Sequence, residues 1–295
     1  MGLDVRPNLI IAGAQKAGTT TLATRLAAHP EIFMPPEKEL NFFSKSNWYM
    51  EIDAYLRRYA RAGEYAYRLD ATPGYLWTDR DDTRFVEIPR RSKPAIPDSI
   101  RSLLGDQTKI LIILRHPSLR AISAFFHQFR MGRLESKDRI RHLPRKFGIV
   151  DIGFYSDHIE SYRHAFSDDQ IQVFFLERYA KNKLYFDRII FDWLGLNADA
   201  VDPANSGKSK EDSNANFRII YDQGVLAFKD GLGQVRRLKA EDSRYKKMLE
   251  IEPPIVEPED IEFLNSAYAD EILHMHSLYP DLAEIWSMRP TLADY

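Results

Sequence analysis

Leu9-Ile10-Ile11-Ala12 is a continuous apolar run that stops at Gly13, and no other feature constrains the fold of this chain as strongly. A short uninterrupted run of this kind predicts a strand buried on both faces. It is followed by Gly13-Ala14-Gln15-Lys16-Ala17-Gly18-Thr19-Thr20. From Thr19 to Ala28, Leu22/Leu26 and Ala23/Ala27 then repeat at helical spacing, and His29-Pro30 ends the helix. Strand, glycine loop and helix in that order form a cradle for an anion. Glycines let the backbone curl so that successive N–H groups point inward, and the helix N-terminus adds partial positive charge. Thr19 and Thr20 add hydroxyls, and Lys16 adds a mobile cation. The competing reading is a glycine turn with no ligand, which the placement between a buried strand and a helix disfavours.

Further apolar runs extend the pattern. Ile110 to Leu114 predicts a second buried strand, running into Arg115-His116-Pro117 and then a helix with Leu119, Ile122, Phe126 and Phe129 on its apolar face and Ser118 as N-cap. Ile171 to Leu176 predicts a third strand, between an amphipathic helix carrying Ile159, Tyr162 and Phe166 and another from Leu184 to Leu194. Arg68-Leu69-Asp70 is a further short candidate strand. A last helix starts at Pro258, with Ile261, Leu264, Tyr268 and Ile272 on one face. Strands separated by helices imply parallel pairing through right-handed crossovers. The expected architecture is therefore α/β, a P-loop-like three-layer fold with a mostly parallel central sheet of four or five strands and helices on both faces. Arg80 to Pro97, rich in charge and proline, is expected to be an irregular excursion. Asp202 to Asn216 reads as a polar loop. No linker long enough to separate domains is visible, so residues 1–295 are expected to form one domain.

Composition excludes several classes. With 41 basic against 43 acidic residues the formal charge is −2, too balanced for a general nucleic-acid binder but compatible with a local basic pocket. The absence of cysteine rules out disulfides, thiolate metal sites and a cysteine nucleophile. No run approaches the length of a membrane span, and a cytoplasmic location is expected.

The loop resembles a Walker A sequence, G-x-x-x-x-G-K-[ST], with one departure. Thr19 stands where the lysine should be, and the lysine has moved into the loop as Lys16. That departure argues against a standard ATPase or GTPase. Arg115 follows a buried strand, where ligands of open α/β sheets bind, and Ser123 lies eight residues further on in the next helix. An arginine fork and a hydroxyl suit a second phosphate. Taken singly, each has an ordinary structural reading.

G-A-Q-K-A-G-T-T, K-E-L-N-F-F at 38–43, D-A-T-P-G-Y at 70–75, L-R-H-P-S-L-R-A-I-S at 114–123 and G-K-S-K at 207–210 occur in that order. Together they resemble the sulfotransferases that use 3′-phosphoadenosine-5′-phosphosulfate (PAPS), especially the heparan sulfate N- and 3-O-sulfotransferases and their bacterial relatives. The resemblance implies that Gln15, Lys16, Ala17, Gly18, Thr19 and Thr20 hold the 5′-phosphosulfate and that Arg115 and Ser123 hold the 3′-phosphate. It further implies that Gly207, Lys208, Ser209 and Lys210 close over the cofactor, although Glu211-Asp212 departs from the Gly-Arg that follows in the N-sulfotransferases.

Sulfuryl transfer needs a base, in-line placement and charge stabilisation on the leaving oxygen. Glu39 matches the glutamate that takes the acceptor proton in the glycan enzymes, and Lys16 is assigned to the leaving oxygen. His127, one helical turn past Ser123, matches a histidine at the reaction centre of the N-sulfotransferases, and a plain helix histidine is an equal alternative. Glu37 and Lys38 read as solvated surface, and Phe42 and Phe43 as core. His116 receives no role. Asp70 and Tyr75 are expected to line the acceptor pocket, where Ala71 replaces a lysine of the 3-O-sulfotransferases. The expected acceptor is a glycan or other small molecule offering a hydroxyl or amine. No metal, nucleic acid or membrane span is implied, and oligomeric state is open. A P-loop small-molecule kinase and a non-catalytic anion-binding protein of the same fold are the alternatives.

Overall fold

The computed structural model describes residues 5–78, 95–201, 218–222, 225–229, 235–237 and 254–291. In chain order, β1 (Leu9–Gly13) leads into α1 (Thr19–Leu26), β2 (Ile32–Phe33), α2 (Ile52–Arg57) and β3 (Tyr67–Ala71). Then come α3 (Ile96–Leu104), β4 (Lys109–Leu114), α4 (Pro117–Arg130), α5 (Tyr155–Ala165), β5 (Ile171–Phe175), α6 (Leu176–Tyr179) and α7 (Lys183–Leu194). Three strands, β6 (Arg218–Asp222), β7 (Val225–Lys229) and β8 (Val235–Arg237), precede α8 (Pro258–Ala267) and α9 (Ala269–Leu278).

Strands β1 to β5 form one sheet in the order β2-β3-β1-β4-β5, and every pairing in it is parallel. β1 is central. The chain builds outward from it on the β3 side first, then on the β4 side. Ligands of open parallel sheets bind at the carboxyl ends of the strands where the order reverses, here between β1 and β4. The β1 backbone is fixed against β4 just there, with Ala14 N–H donating to the Ile113 carbonyl at 2.6 Å.

All five residues of β1 and the last five of β4 are buried, which explains their continuous apolar runs. Alternation still sorts them between two faces. Ile10, Ala12, Ile110, Ile112 and Leu114 pack with residues of α3 and α5, whereas Leu9, Ile11, Leu111 and Ile113 pack with α1 and α7. Each such Ile or Leu contributes roughly 1.5–3 kcal/mol on full burial. The layered arrangement matches the expected α/β fold. A buried ion pair, Arg25 to Asp187 at 2.6 Å, joins α1 to α7, and Tyr179 donates to the same carboxylate at 2.8 Å. This fixes the axis of α1, and with it the aim of its N-terminus.

Several expectations need correction. The helix after β1 ends at Leu26 with Ala27 as its cap, not at Ala28. Ser118 is not an N-cap: α4 begins at Pro117 after His116, and the buried Ser118 hydroxyl donates to Asn265 Oδ1 at 3.4 Å. The buried face of α4 is Ala121, Ile122, Ala124, Phe125 and Phe129, so Leu119 and Phe126 lie on its half-exposed side. The helix from Pro258 is two helices, because Tyr268 at φ −103° and ψ 5° leaves the helical conformation. Its ring is fully buried and its hydroxyl donates to the Val150 carbonyl, a tertiary contact with no local signature. Helix α3 starts at Ile96, inside the stretch expected to be irregular up to Pro97. The antiparallel β6-β7-β8 sheet had no sequence expectation.

Candidate active site

The glycine loop leaves β1 under close steric control. A Cβ at Gly13 would lie 2.4 Å from Leu76 Cβ, so only glycine lets the two backbones approach. Gly18 has φ 86°, where a side chain is strained, and a Cβ there would meet Leu176 Cδ1 at 2.7 Å. No side chain caps α1 and its first turn contains no acidic residue, so the N-terminal N–H groups and dipole carry no built-in anion. Ala17 is buried and can offer only its backbone, Gln15 and Lys16 are half-buried, Thr19 is buried and Thr20 is exposed.

Among the described residues, the non-glycine positions with positive φ are Lys16 (70°), Glu39 (63°) and Asn41 (52°). Such conformations are uncommon outside glycine and cluster at functional sites. Here they fall in the two segments that the sequence selects.

The base loop is held from beneath. Tyr75 Oη accepts from Phe42 N–H at 3.0 Å and donates to Asp70 Oδ2 at 3.0 Å. Thr72 Oγ1 donates to Asp70 Oδ1 at 2.7 Å and lies 3.5 Å from Asn41 N–H. Tyr55 also donates to Asp70, at 2.8 Å. Asp70 and Tyr75 therefore do not line an acceptor pocket. They are 1% and 0% exposed, and their polar atoms are spent on one another and on the loop that carries Glu39. Burial raises the Asp70 carboxyl, and its three hydroxyl donors oppose that shift. Phe42 and Phe43 are core, as expected, with Phe42 stacked on Tyr55 at 3.9 Å.

On the other side, Arg115 follows β4, and its carbonyl accepts from Tyr155 at 2.7 Å. Ser123, His127 and Arg130 are half-buried positions at i, i+4 and i+7 of α4, hence on one face. The electrostatics show which charges meet. Burial, followed by repulsion from Arg130 and Arg115, lowers the Lys16 ammonium to about 8, with Glu39 opposing and Lys38 adding to the effect. Burial, then Lys16 and Arg130, pushes the His127 imidazole down to about 4, again against Glu39. His127 is thus neutral near pH 7 and offers a hydrogen bond rather than a charge. The charges of Arg130, Arg115 and Lys38 all act on Lys16, and Glu39 supplies the opposing charge. A surplus of cations beside an uncapped helix N-terminus is a donor set that fits a ligand with several phosphate or sulfate groups.

Lys38 departs from its expected solvated role: Nζ lies 2.8 Å from Thr20 Oγ1 and 3.1 Å from Glu39 Oε1. Glu37 behaves as surface, 63% exposed and 3.2 Å from Arg58. His116 is buried, its Nε2 2.8 Å from the Ser287 carbonyl, in line with its having no assigned role. Gly207, Lys208, Ser209 and Lys210 lie outside the described residues. Sequence reading missed Arg130, although counting seven residues on from Ser123 would have found it. It also read Lys38 as solvated surface, although Lys38 opens the K-E-L-N-F-F motif.

A model of the sulfotransferase domain family matches residues 6–213. The chain belongs to the sulfotransferase domain family. It is 26% identical over 203 residues to mouse heparan sulfate glucosamine 3-O-sulfotransferase 3A1, covering 64% of this chain and 46% of that protein. It is 27% identical over 191 residues to the mouse bifunctional heparan sulfate N-deacetylase/N-sulfotransferase 1, covering 58% of this chain and 20% of that protein. The chain thus spans less than half the length of these curated relatives. The solved sulfotransferase from Alicyclobacillus acidocaldarius matches with a TM-score of 0.60 and 22% identity, over 92% of this chain and 95% of that one. That likeness supports the sulfotransferase fold described above.

A pH dependence follows from Lys16. Its pKa in the free site is about 8, and an anionic ligand favours the charged form. Below pH 8 the ammonium is already present. Above it, binding must first protonate the amine, so phosphate-ligand affinity falls by up to about tenfold per pH unit until the pKa of the complex is reached. Calorimetry in buffers of different ionisation enthalpy should show negligible proton uptake at pH 6.5, rising toward about one proton by pH 9. Uptake that stays at zero across that range would contradict the assignment.

Proposed function

We propose that the protein transfers a sulfuryl group from PAPS to a hydroxyl or amine of a glycan or other small acceptor, releasing adenosine 3′,5′-bisphosphate. The observation that carries this reading is that Lys38 bridges Thr20 at the N-terminus of α1 to Glu39, with the charges of Arg115, Arg130, Lys38 and Glu39 all acting on Lys16 in the phosphate loop. The phosphate loop, with Thr19 and Thr20, is assigned to the 5′-phosphate, and Arg115 with Ser123 to the 3′-phosphate. Gly207 to Lys210 are retained as the covering segment on sequence grounds alone. The names of the relatives, which act on heparan sulfate, support a glycan acceptor.

Bound PAPS supplies an electrophilic sulfur whose bond to the 5′-phosphate oxygen breaks, with its electron pair, as the acceptor oxygen or nitrogen bonds to it. Glu39 receives the acceptor proton. Its side chain is half exposed, so an acceptor can reach it from solvent. Lys16 places its charge on the leaving oxygen, and its lowered pKa makes it a ready hydrogen-bond donor there. Neutral His127, on the same face of α4 as Ser123, orients the acceptor by hydrogen bonding. The network under Phe42 keeps the Glu39 loop in one conformation, and ordered catalytic groups avoid entropy loss at the moment of reaction.

The reading is tested with sulfur-labelled PAPS over a panel of glycans, lipids, phenols and amines. Label appearing in an acceptor with matching release of adenosine 3′,5′-bisphosphate is the expected result. Slow loss of label to water alone, unchanged by every acceptor, would argue for an anion-binding protein that lacks the chemistry.

A further inference from the structure

The Lys38 ammonium joins two parts of the site that lie far apart in sequence. It reaches Thr20 Oγ1 in the phosphate loop at 2.8 Å and Glu39 Oε1 in the base loop at 3.1 Å. The side chain is only 21% exposed, and its charge contributes to the depression of Lys16. Resting on the proposed sulfuryl transfer, we infer that Lys38 is a further catalytic residue, the cation that contacts the sulfuryl group between leaving and accepting oxygens.

The argument is one of position. Thr20 belongs to the loop assigned to the phosphate that the sulfuryl group leaves, and Glu39 to the base of the acceptor it joins. In-line displacement keeps the transferred group between leaving and attacking oxygens. A side chain within hydrogen-bond reach of both anchors borders that line. Lysine also suits the task chemically. An ammonium has three donors, so it can keep Thr20 and still reach a non-bridging sulfuryl oxygen. Lys16, on which the charges of Arg115 and Arg130 act, is left for the bridging oxygen. Bond making and breaking are unchanged: the acceptor oxygen bonds to sulfur, the sulfur–oxygen bond to phosphate breaks with its electrons, and the proton passes to Glu39.

A surface ion pair that only steadies Glu39 would predict a different pattern, because its loss does not distinguish ligands with and without the sulfuryl group. Lys38→Met should therefore be examined by calorimetry with adenosine 3′,5′-bisphosphate and with PAPS, each without acceptor. The bisphosphate lacks the sulfuryl group, and its affinity should stay within about three-fold of wild type, whereas PAPS affinity should fall by about tenfold, as for loss of one charge-assisted contact. Lys38→Arg should recover part of that loss, and turnover of Lys38→Met should drop by on the order of 10². Equal affinities of wild type and Lys38→Met for PAPS would overturn the inference, as would equal losses for both ligands. A wild-type protein that binds neither ligand would instead remove the transfer reading on which the inference rests.

Discussion

Glu39→Gln lowers turnover by roughly 10²–10⁴, the usual worth of a general base, while nucleotide affinity hardly changes. The substitution keeps the length of the side chain and its hydrogen-bonding capacity but removes its basicity. It also removes the anionic partner of Lys38 at 3.1 Å and the negative charge that opposes the depression of Lys16 and His127. The first loss leaves a more cationic site and the second depresses Lys16 further, so the two effects oppose each other and PAPS affinity should stay nearly level. Glu37→Gln is the control, because Glu37 is 63% exposed and pairs with Arg58. Steady-state kinetics on the two variants separate the roles. An inactive Glu37 variant, or a Glu39 variant that lost nucleotide binding together with turnover, would mean that Glu39 is not the base.

Lys16→Ala lowers kcat by on the order of 10² or more, as expected when one preorganised charge is withdrawn from a developing oxyanion. Its position makes the effect specific. Lys16 occupies a left-handed backbone conformation at φ 70° within the loop, so its side chain leaves the chain in a direction an ordinary loop residue would not take. Removing it relieves repulsion on Arg115 and Arg130. Ground-state affinity should accordingly suffer less than kcat. Activity within a few-fold of wild type would transfer the role to another cation, with Lys38 first in geometry and Lys208 or Lys210 next by sequence.

The parts of the fold that were legible in sequence are those whose signal is local. β1 and β4 are buried on both faces, so their residues form unbroken apolar runs. β2 has two residues, Ile32 and Phe33, too few for any periodicity to register. The break at Tyr268 has no glycine or proline to mark it, because it is imposed by distant packing: a Cβ on Gly153 would lie 2.5 Å from the Tyr268 hydroxyl.

The site divides along the same line. Its loop, Arg115 and Ser123 stand in an ordered motif. Lys38 opens the K-E-L-N-F-F motif, but between Glu37 and Glu39 it reads as one charge among several, and the folded contact with Thr20 shows what it touches. Asp70 and Tyr75 were expected to line the acceptor pocket and are instead buried beneath the loop that carries Glu39. Motif position shows that a residue matters, whereas burial decides whether it touches a ligand or holds the loop that does.

Because the central claim is a site for a nucleotide phosphorylated at both the 3′ and the 5′ positions, the most direct measurement compares adenosine 3′,5′-bisphosphate with AMP and with ATP plus magnesium by thermal shift and calorimetry. The account predicts that the bisphosphate binds at least about tenfold more tightly than AMP, the value of one arginine–phosphate contact, and raises Tm in proportion. Equal binding of the bisphosphate and AMP would remove the Arg115/Ser123 site, and a preference for ATP with magnesium would contradict the account as a whole.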